Sequence, residues 1–189
     1  MTRWLFLYAR ARQIPVSAAV VVAGVAALAA LAPPDGSPQL AAFAAAIGVA
    51  ALATGLGGHD LALDRTAAFG WPPRRAAHLL VGGTVTAALL LAVDTFADPI
   101  APDALVLRDV AGLGGLAALG ALLFGSRAAW TLPIGWAGVT LVIPPGHDHW
   151  LSRLLSWPVQ PADTTSATIT AVVLGCTGLL AYSLFGCRR

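Results

Sequence analysis

All eleven lysine-or-arginine positions of this 189-residue chain are arginine, and nine of them fall into alternate gaps between six apolar stretches. The stretches run at 14–32, 39–57, 77–93, 109–125, 128–145 and 167–186, each near the ~20 residues that a helix needs to cross ~30 Å of hydrocarbon. Arg3, Arg10 and Arg12 precede the first; Arg65, Arg74 and Arg75 separate the second from the third; Arg127 separates the fourth from the fifth; Arg188 and Arg189 follow the sixth. Only Arg108 and Arg153 occupy the other gaps. Short loops rich in basic residues stay on the cytoplasmic side. The expected fold is therefore an all-α integral membrane protein, a single domain over 1–189 with six transmembrane helices and both termini inside.

Composition agrees. With 58% hydrophobic and 11% charged residues and a mean hydropathy of +0.78, the chain has too little polar surface to cover a water-soluble domain. Lysine and glutamate are both absent, a bias expected of a GC-rich bacterial genome, and the bacterial cytoplasmic membrane is the expected location. The net charge of +2 follows from topology and gives no reason to expect nucleic acid as a partner. The first stretch exceeds a signal-peptide core, and Pro33 would follow the Ala30-Leu31-Ala32 cleavage triplet, so it is read as a retained span. Cys176 and Cys187 are eleven residues apart, ~16 Å along a helix and beyond disulfide reach. They are expected to be packing residues.

The cytoplasmic loop at 58–78 carries the most specific pattern. Asp60 can cap a short helix through Leu61, Asp64, Arg65 and Phe69, with Gly70 at its end and Pro72-Pro73 preventing continuation. Arg74-Arg75 then anchors the third span at the interface. Ahead of the first span, in the segment 1–13, Trp4, Leu7, Tyr8 and Ala11 share one helical face while Arg3 and Arg10 share another. Such a helix lies flat in the interface. As plain connectors and anchors these two segments are unremarkable in a membrane protein, so further meaning comes from their combination.

Leu63-Asp64-Arg65-Thr66 followed by Pro72-Pro73-Arg74-Arg75 and a span resembles the loop after the second helix in the six-helix permeases of type-2 bacterial ABC exporters. The helix count, the topology and the amphipathic start resemble that family too. The resemblance implies that Asp60, Leu61, Asp64, Arg65 and Phe69 form a coupling helix touching an ATPase, and that Trp4, Leu7, Tyr8 and Arg10 belong to an interfacial connecting helix. It also implies a re-entrant-like segment at 144–166, whose Trp150, Leu154 and Trp157 are too apolar for a free loop and would close the outer end of a pathway. From the residues alone, Asp148 can cap a short helix there that dips into the outer interface.

Other features weigh less. His59, Asp60, His78, Asp94 and Asp109 fall at span ends, so no ion path is expected through the interior. Small residues recur at four-residue spacing at Ala42, Ala46, Ala50 and Thr54, and in the pairs Ala111 with Gly115, Gly114 with Ala118 and Ala121 with Gly125. These are expected to be helix contacts within the chain, or else between subunits. Pro133 is expected to kink the fifth span. Arg108 with Asp94, Asp98, Asp103 and Asp109 is expected to form an external ion-pair cluster. His147 and His149 flank Asp148 as candidate metal ligands, but three adjacent residues converge poorly on one ion. Pro144-Pro145-Gly146-His147 is faintly similar to the histidine motif of lipid-phosphate phosphatases, whose lysine-arginine element and second histidine motif are missing.

There is no phosphate-binding Gly-x-x-x-x-Gly-Lys-Ser/Thr loop. No cofactor is expected on this chain; ATP and Mg would sit on a separate nucleotide-binding ATPase subunit. The expected function is the permease subunit of an ATP-driven exporter, non-enzymatic by itself, working with a second permease, the same or homologous. The apolar interior suits a hydrophobic or amphipathic substrate such as a peptide, an antibiotic or a lipid. The alternatives are a non-transporting anchor or accessory subunit and a membrane enzyme using His147 or His149.

Overall fold

The computed structural model describes residues 19, 21–24, 26–27, 30, 33, 35–57, 71–94, 99–143 and 149–187, with the side chains of Trp71 and Asp94 excepted. Among these residues the fold is helical, without strands. Each described position from 19 to 30 is helical. Six further helices follow: α1 (Pro38–Ala53), α2 (Trp71–Asp94), α3 (Asp103–Phe124), α4 (Thr131–Val142), α5 (Trp150–Leu155) and α6 (Thr165–Phe185). Single 3-10 turns extend α1 at Thr54–Leu56, precede α4 at Ser126–Ala128 and follow α5 at Trp157–Val159.

Local chemistry sets the boundaries. Ser37 caps α1, its hydroxyl accepting the Leu40 N–H at 3.3 Å ahead of Pro38 in the first turn. Pro72 and Pro73 belong to the first turn of α2 rather than to a linker before it, because a missing N–H costs nothing where no intrahelical partner exists. α3 starts after Pro102 with Asp103 in its first turn, a favourable place for a negative charge. It therefore begins six residues before the apolar stretch that marks it in the sequence. Gly125 (φ +85°) ends α3 and Gly186 (φ +75°) ends α6, backbone settings that side-chain-bearing residues rarely adopt.

Among the described residues, four helical segments are long and apolar enough to cross a membrane: Pro38–Leu56, Pro72–Val93, Asp103–Phe124 and Thr165–Phe185. The fifth stretch differs from expectation. α4 has 12 residues, ~18 Å of helix against the ~30 Å of a bilayer core. Pro133 lies in its first turn, where it removes no hydrogen bond, so it produces no mid-helix kink.

The core forms around α3, which packs on α1, α2, α4 and α6. Its closest partner is α6. A Cβ on Gly115 would strike the Leu174 carbonyl, and one on Gly178 would strike the Gly115 carbonyl. The small-residue spacing of α3 thus serves backbone-to-backbone packing within the chain, where apolar burial offers no drive against lipid. Alanines 42, 44, 45 and 46 are buried in the same way on α1. α2 and α6 leave broad apolar faces outward, with Val81 63% and Leu180 62% exposed. These faces suit lipid contact.

Candidate functional site

α1, α2, α3, α4 and α6 alternate in direction, so the bundle has two chemically different ends. At one end meet the end of α1, the start of α2, the turn between α3 and α4, and the end of α6. The buried Tyr182 hydroxyl on α6 donates to the Leu56 carbonyl at 2.7 Å, joining residues 126 positions apart. A Cβ on Gly57 would lie 2.5 Å from the Ser126 hydroxyl, so the exit of α1 rests on the turn after α3. The Arg75 guanidinium covers Gly186, with its Cζ 2.7 Å from where a Cβ would stand. A cation there complements the partial negative charge at the end of α6. Cys187 donates its S–H to the Ala121 carbonyl at 3.2 Å. Burial pushes this thiol above its ordinary value of 9.0, partly offset by hydrogen bonding with Ser126 and by the Arg75 charge. The Trp130 indole donates to the Arg127 carbonyl at 2.9 Å. Arg74, Arg75 and Arg127 therefore all belong to this end.

These ties hold both stems of the 58–70 segment against α6. Asp60, Leu61, Asp64, Arg65 and Phe69, expected to form a coupling helix, lie outside the described residues, as do Trp4, Leu7, Tyr8 and Arg10 of the expected interfacial helix.

The opposite end is organised by a side chain with a different role from the one expected. Arg108 is not part of an exposed ion-pair cluster: it is 7% exposed, and Asp109 is fully buried. The cause is the early start of α3, which places both residues in its second turn. The Arg108 guanidinium donates to the carbonyls of Pro158 (3.0 Å), Gln160 (2.9 Å) and Pro161 (3.0 Å), and its Nε lies 3.3 Å from Asp109 Oδ1. Asp103 is exposed; Asp98 and the side chain of Asp94 are outside the described residues. Asp109 therefore lies inside the fourth apolar helix rather than at its end. Asp109 Oδ2, Ser152 Oγ and Trp157 Nε1 are buried and form no hydrogen bond among the described residues.

The segment that Arg108 clamps contains the three residues expected to close the outer end of a pathway, and they are differently buried. Trp150 and Leu154 are exposed, at 68% and 39%. Trp157 is fully buried instead, its ring edge occupying the space that Gly112 leaves on α3. A bulky aromatic fits there only because the residue beneath has no side chain. The cap of α5 is His149, whose Nδ1 accepts the Leu151 N–H at 3.3 Å and whose ring stacks on Trp150 at 6.0 Å. Trp136 on α4 donates to the Leu155 carbonyl at 3.1 Å, and Gln160 donates to the Ser156 hydroxyl at 3.3 Å. The segment is thus fastened to α3, to α4 and to itself.

The Arg108 guanidinium at this end is spent on three carbonyls and a carboxylate. Among the described residues no three His, Cys, Asp or Glu side chains gather as metal ligands; His147 lies outside them. Sequence reasoning missed the clamp because Arg108 precedes the fourth apolar stretch. The available signal was Pro102-Asp103, a helix start that carries Arg108 one turn inward. No protein-family model, curated protein or solved structure matches this chain.

Proposed function

We propose that this chain is the permease subunit of an ATP-driven exporter in the bacterial cytoplasmic membrane, with both termini inside and six spans, the fifth made of α4 together with the 3-10 turn ahead of it. A separate ATPase and a second permease copy or homologue complete it. The observation that carries this reading is the anchoring of both stems of the 58–70 segment, through Tyr182 with Leu56 and Arg75 with Gly186. Stems held that way would pass a push on to α6. At the far end, the Arg108 clamp ties the cover between α4 and α6 to α3. Closure of two ATPase subunits against Asp64 and Arg65 would tilt α6, and that tilt must break or carry the clamp for the outer side to open. The hydrophobic or amphipathic substrate follows from the apolar helices.

A second reading, a non-transporting anchor or accessory subunit, is favoured by the backbone contact of α3 with α6 at Gly115 and Gly178, which resists tilting. A mild-detergent pull-down of the tagged chain, with an ATPase assay on the eluate, decides between them. Recovery of a Walker-motif ATPase that is lost with Asp64→Ala, Arg65→Ala supports the permease. Recovery of partners without ATPase activity supports the anchor.

A further inference from the structure

The cover between α4 and α6 is held down by apolar packing and by one cation. Trp157 is fully buried over Gly112, and the Arg108 fork donates to the carbonyls of Pro158, Gln160 and Pro161. Other atoms of the same closure oppose it. Asp109 Oδ2 on α3, with Ser152 Oγ and Trp157 Nε1 on the cover, are buried and form no hydrogen bond among the described residues. A polar group shut away from water without a partner is destabilising, and folded chains keep only a few of them. Three fall here, in one short segment and the helix turn it rests on.

Among the described residues, no second cation reaches Asp109. Its Oδ1 lies 3.3 Å from Arg108 Nε, and α1, α4 and α6 carry no basic side chain. Arg74, Arg75 and His78 stand near the start of α2, at the far end of the bundle, and Arg153 on α5 is exposed. Water is the remaining source of hydrogen bonds, and it is near: Asp103, Pro161 and Asp163, around the rim of the cover, are exposed. Lifting the cover exchanges the three carbonyls on Arg108 for water and hydrates the three unpaired atoms in the same movement.

We infer that the cover is a lid poised to open: it swings off α3 by itself, with the long helices intact, and brings water to Asp109 inside the fourth apolar helix. The Arg108 fork favours the closed state, and the three unpaired atoms favour the open one. Openings of this kind belong to small units that few bonds fasten to the rest of a fold. The lid needs no ATPase and holds for an exporter and an anchor alike. It gives the buried charge pair a route to outer water, which ionisable groups within membrane helices commonly border.

The full chain in lipid nanodiscs, isotope-labelled at tryptophan and leucine and followed by NMR, tests this, with the Trp157 signal assigned by its loss in Trp157→Phe. Its indole N–H should resonate upfield of those of Trp130 and Trp136, which donate to the Arg127 and Leu155 carbonyls. In heavy water it should exchange while the backbone amides of the buried Leu113 and Leu116 on α3 stay protected. Ser152→Ala removes one unpaired atom and should slow that exchange about tenfold, beyond the roughly twofold that the helix propensity of alanine supplies. Arg108→Lys, which cannot reproduce the fork, should speed it about tenfold. Four results would each overturn the lid: a Trp157 indole that resonates with the bonded ones, one protected as long as Leu113 and Leu116, a slowing in Ser152→Ala of about twofold or less, or no acceleration in Arg108→Lys. Should Arg108→Lys fail to fold, the wild-type and Ser152→Ala rates decide.

Discussion

Arg108 carries more of the tertiary structure than any other single side chain described. Its guanidinium fork donates to the carbonyls of Pro158, Gln160 and Pro161, in and just after the 3-10 turn that follows α5, a geometry that lysine, with one point of charge, cannot copy. Arg108→Met should lower stability in detergent by about 3–5 kcal/mol, the cost of leaving a buried partner charge uncompensated, and Arg108→Lys should recover little of it in thermal melts. Restoration by lysine would mean that charge rather than the fork matters. Cys187 offers a second residue-level test. Its thiol is raised by burial, so at neutral pH the folded protein holds less thiolate than an unfolded chain. Maleimide labelling should be slow in the native protein and accelerate on unfolding. The linked stability is fully present below the ordinary thiol value and is lost as pH rises through the raised one. In the sequence Cys187 reads as a packing residue; the hydrogen bond to Ala121, 66 residues away, is a product of the fold.

Among the elements, the α3–α6 seam is the most constrained. Gly115 and Gly178 bring the two backbones into contact, so Gly115→Ala should cost about 1–3 kcal/mol by overpacking. Gly138→Ala on α4, which points into open space, should be tolerated or slightly stabilising through helix propensity. Equal melting temperatures for the two variants would show that the seam is looser than described. One turn beyond Gly178 on α6, Tyr182→Phe leaves the buried Leu56 carbonyl without this donor and should cost about 1–3 kcal/mol. The small-residue spacing on α3 was legible in the sequence as a contact stripe. Which helix it met was not, because a four-residue period specifies a face and not a partner.

At the scale of the whole molecule, among the described residues Arg74, Arg75 and Arg127 lie at one end of the bundle and Arg108 and Arg153 at the other. In a background lacking Cys176 and Cys187, Arg127→Cys and Arg153→Cys should react with a membrane-impermeant maleimide from opposite sides of the membrane. Labelling of both from one side would overturn the six-span topology. The sequence alone determined the membrane class and the four long apolar helices, since hydrophobic run length is a local property that lipid and water read directly. Tertiary structure alone decided that Trp157 is buried and that Arg108 is a clamp. Each of these depends on residues far apart in the chain: a buried guanidinium is stable only where distant carbonyls converge, and a buried indole only where a distant glycine leaves room.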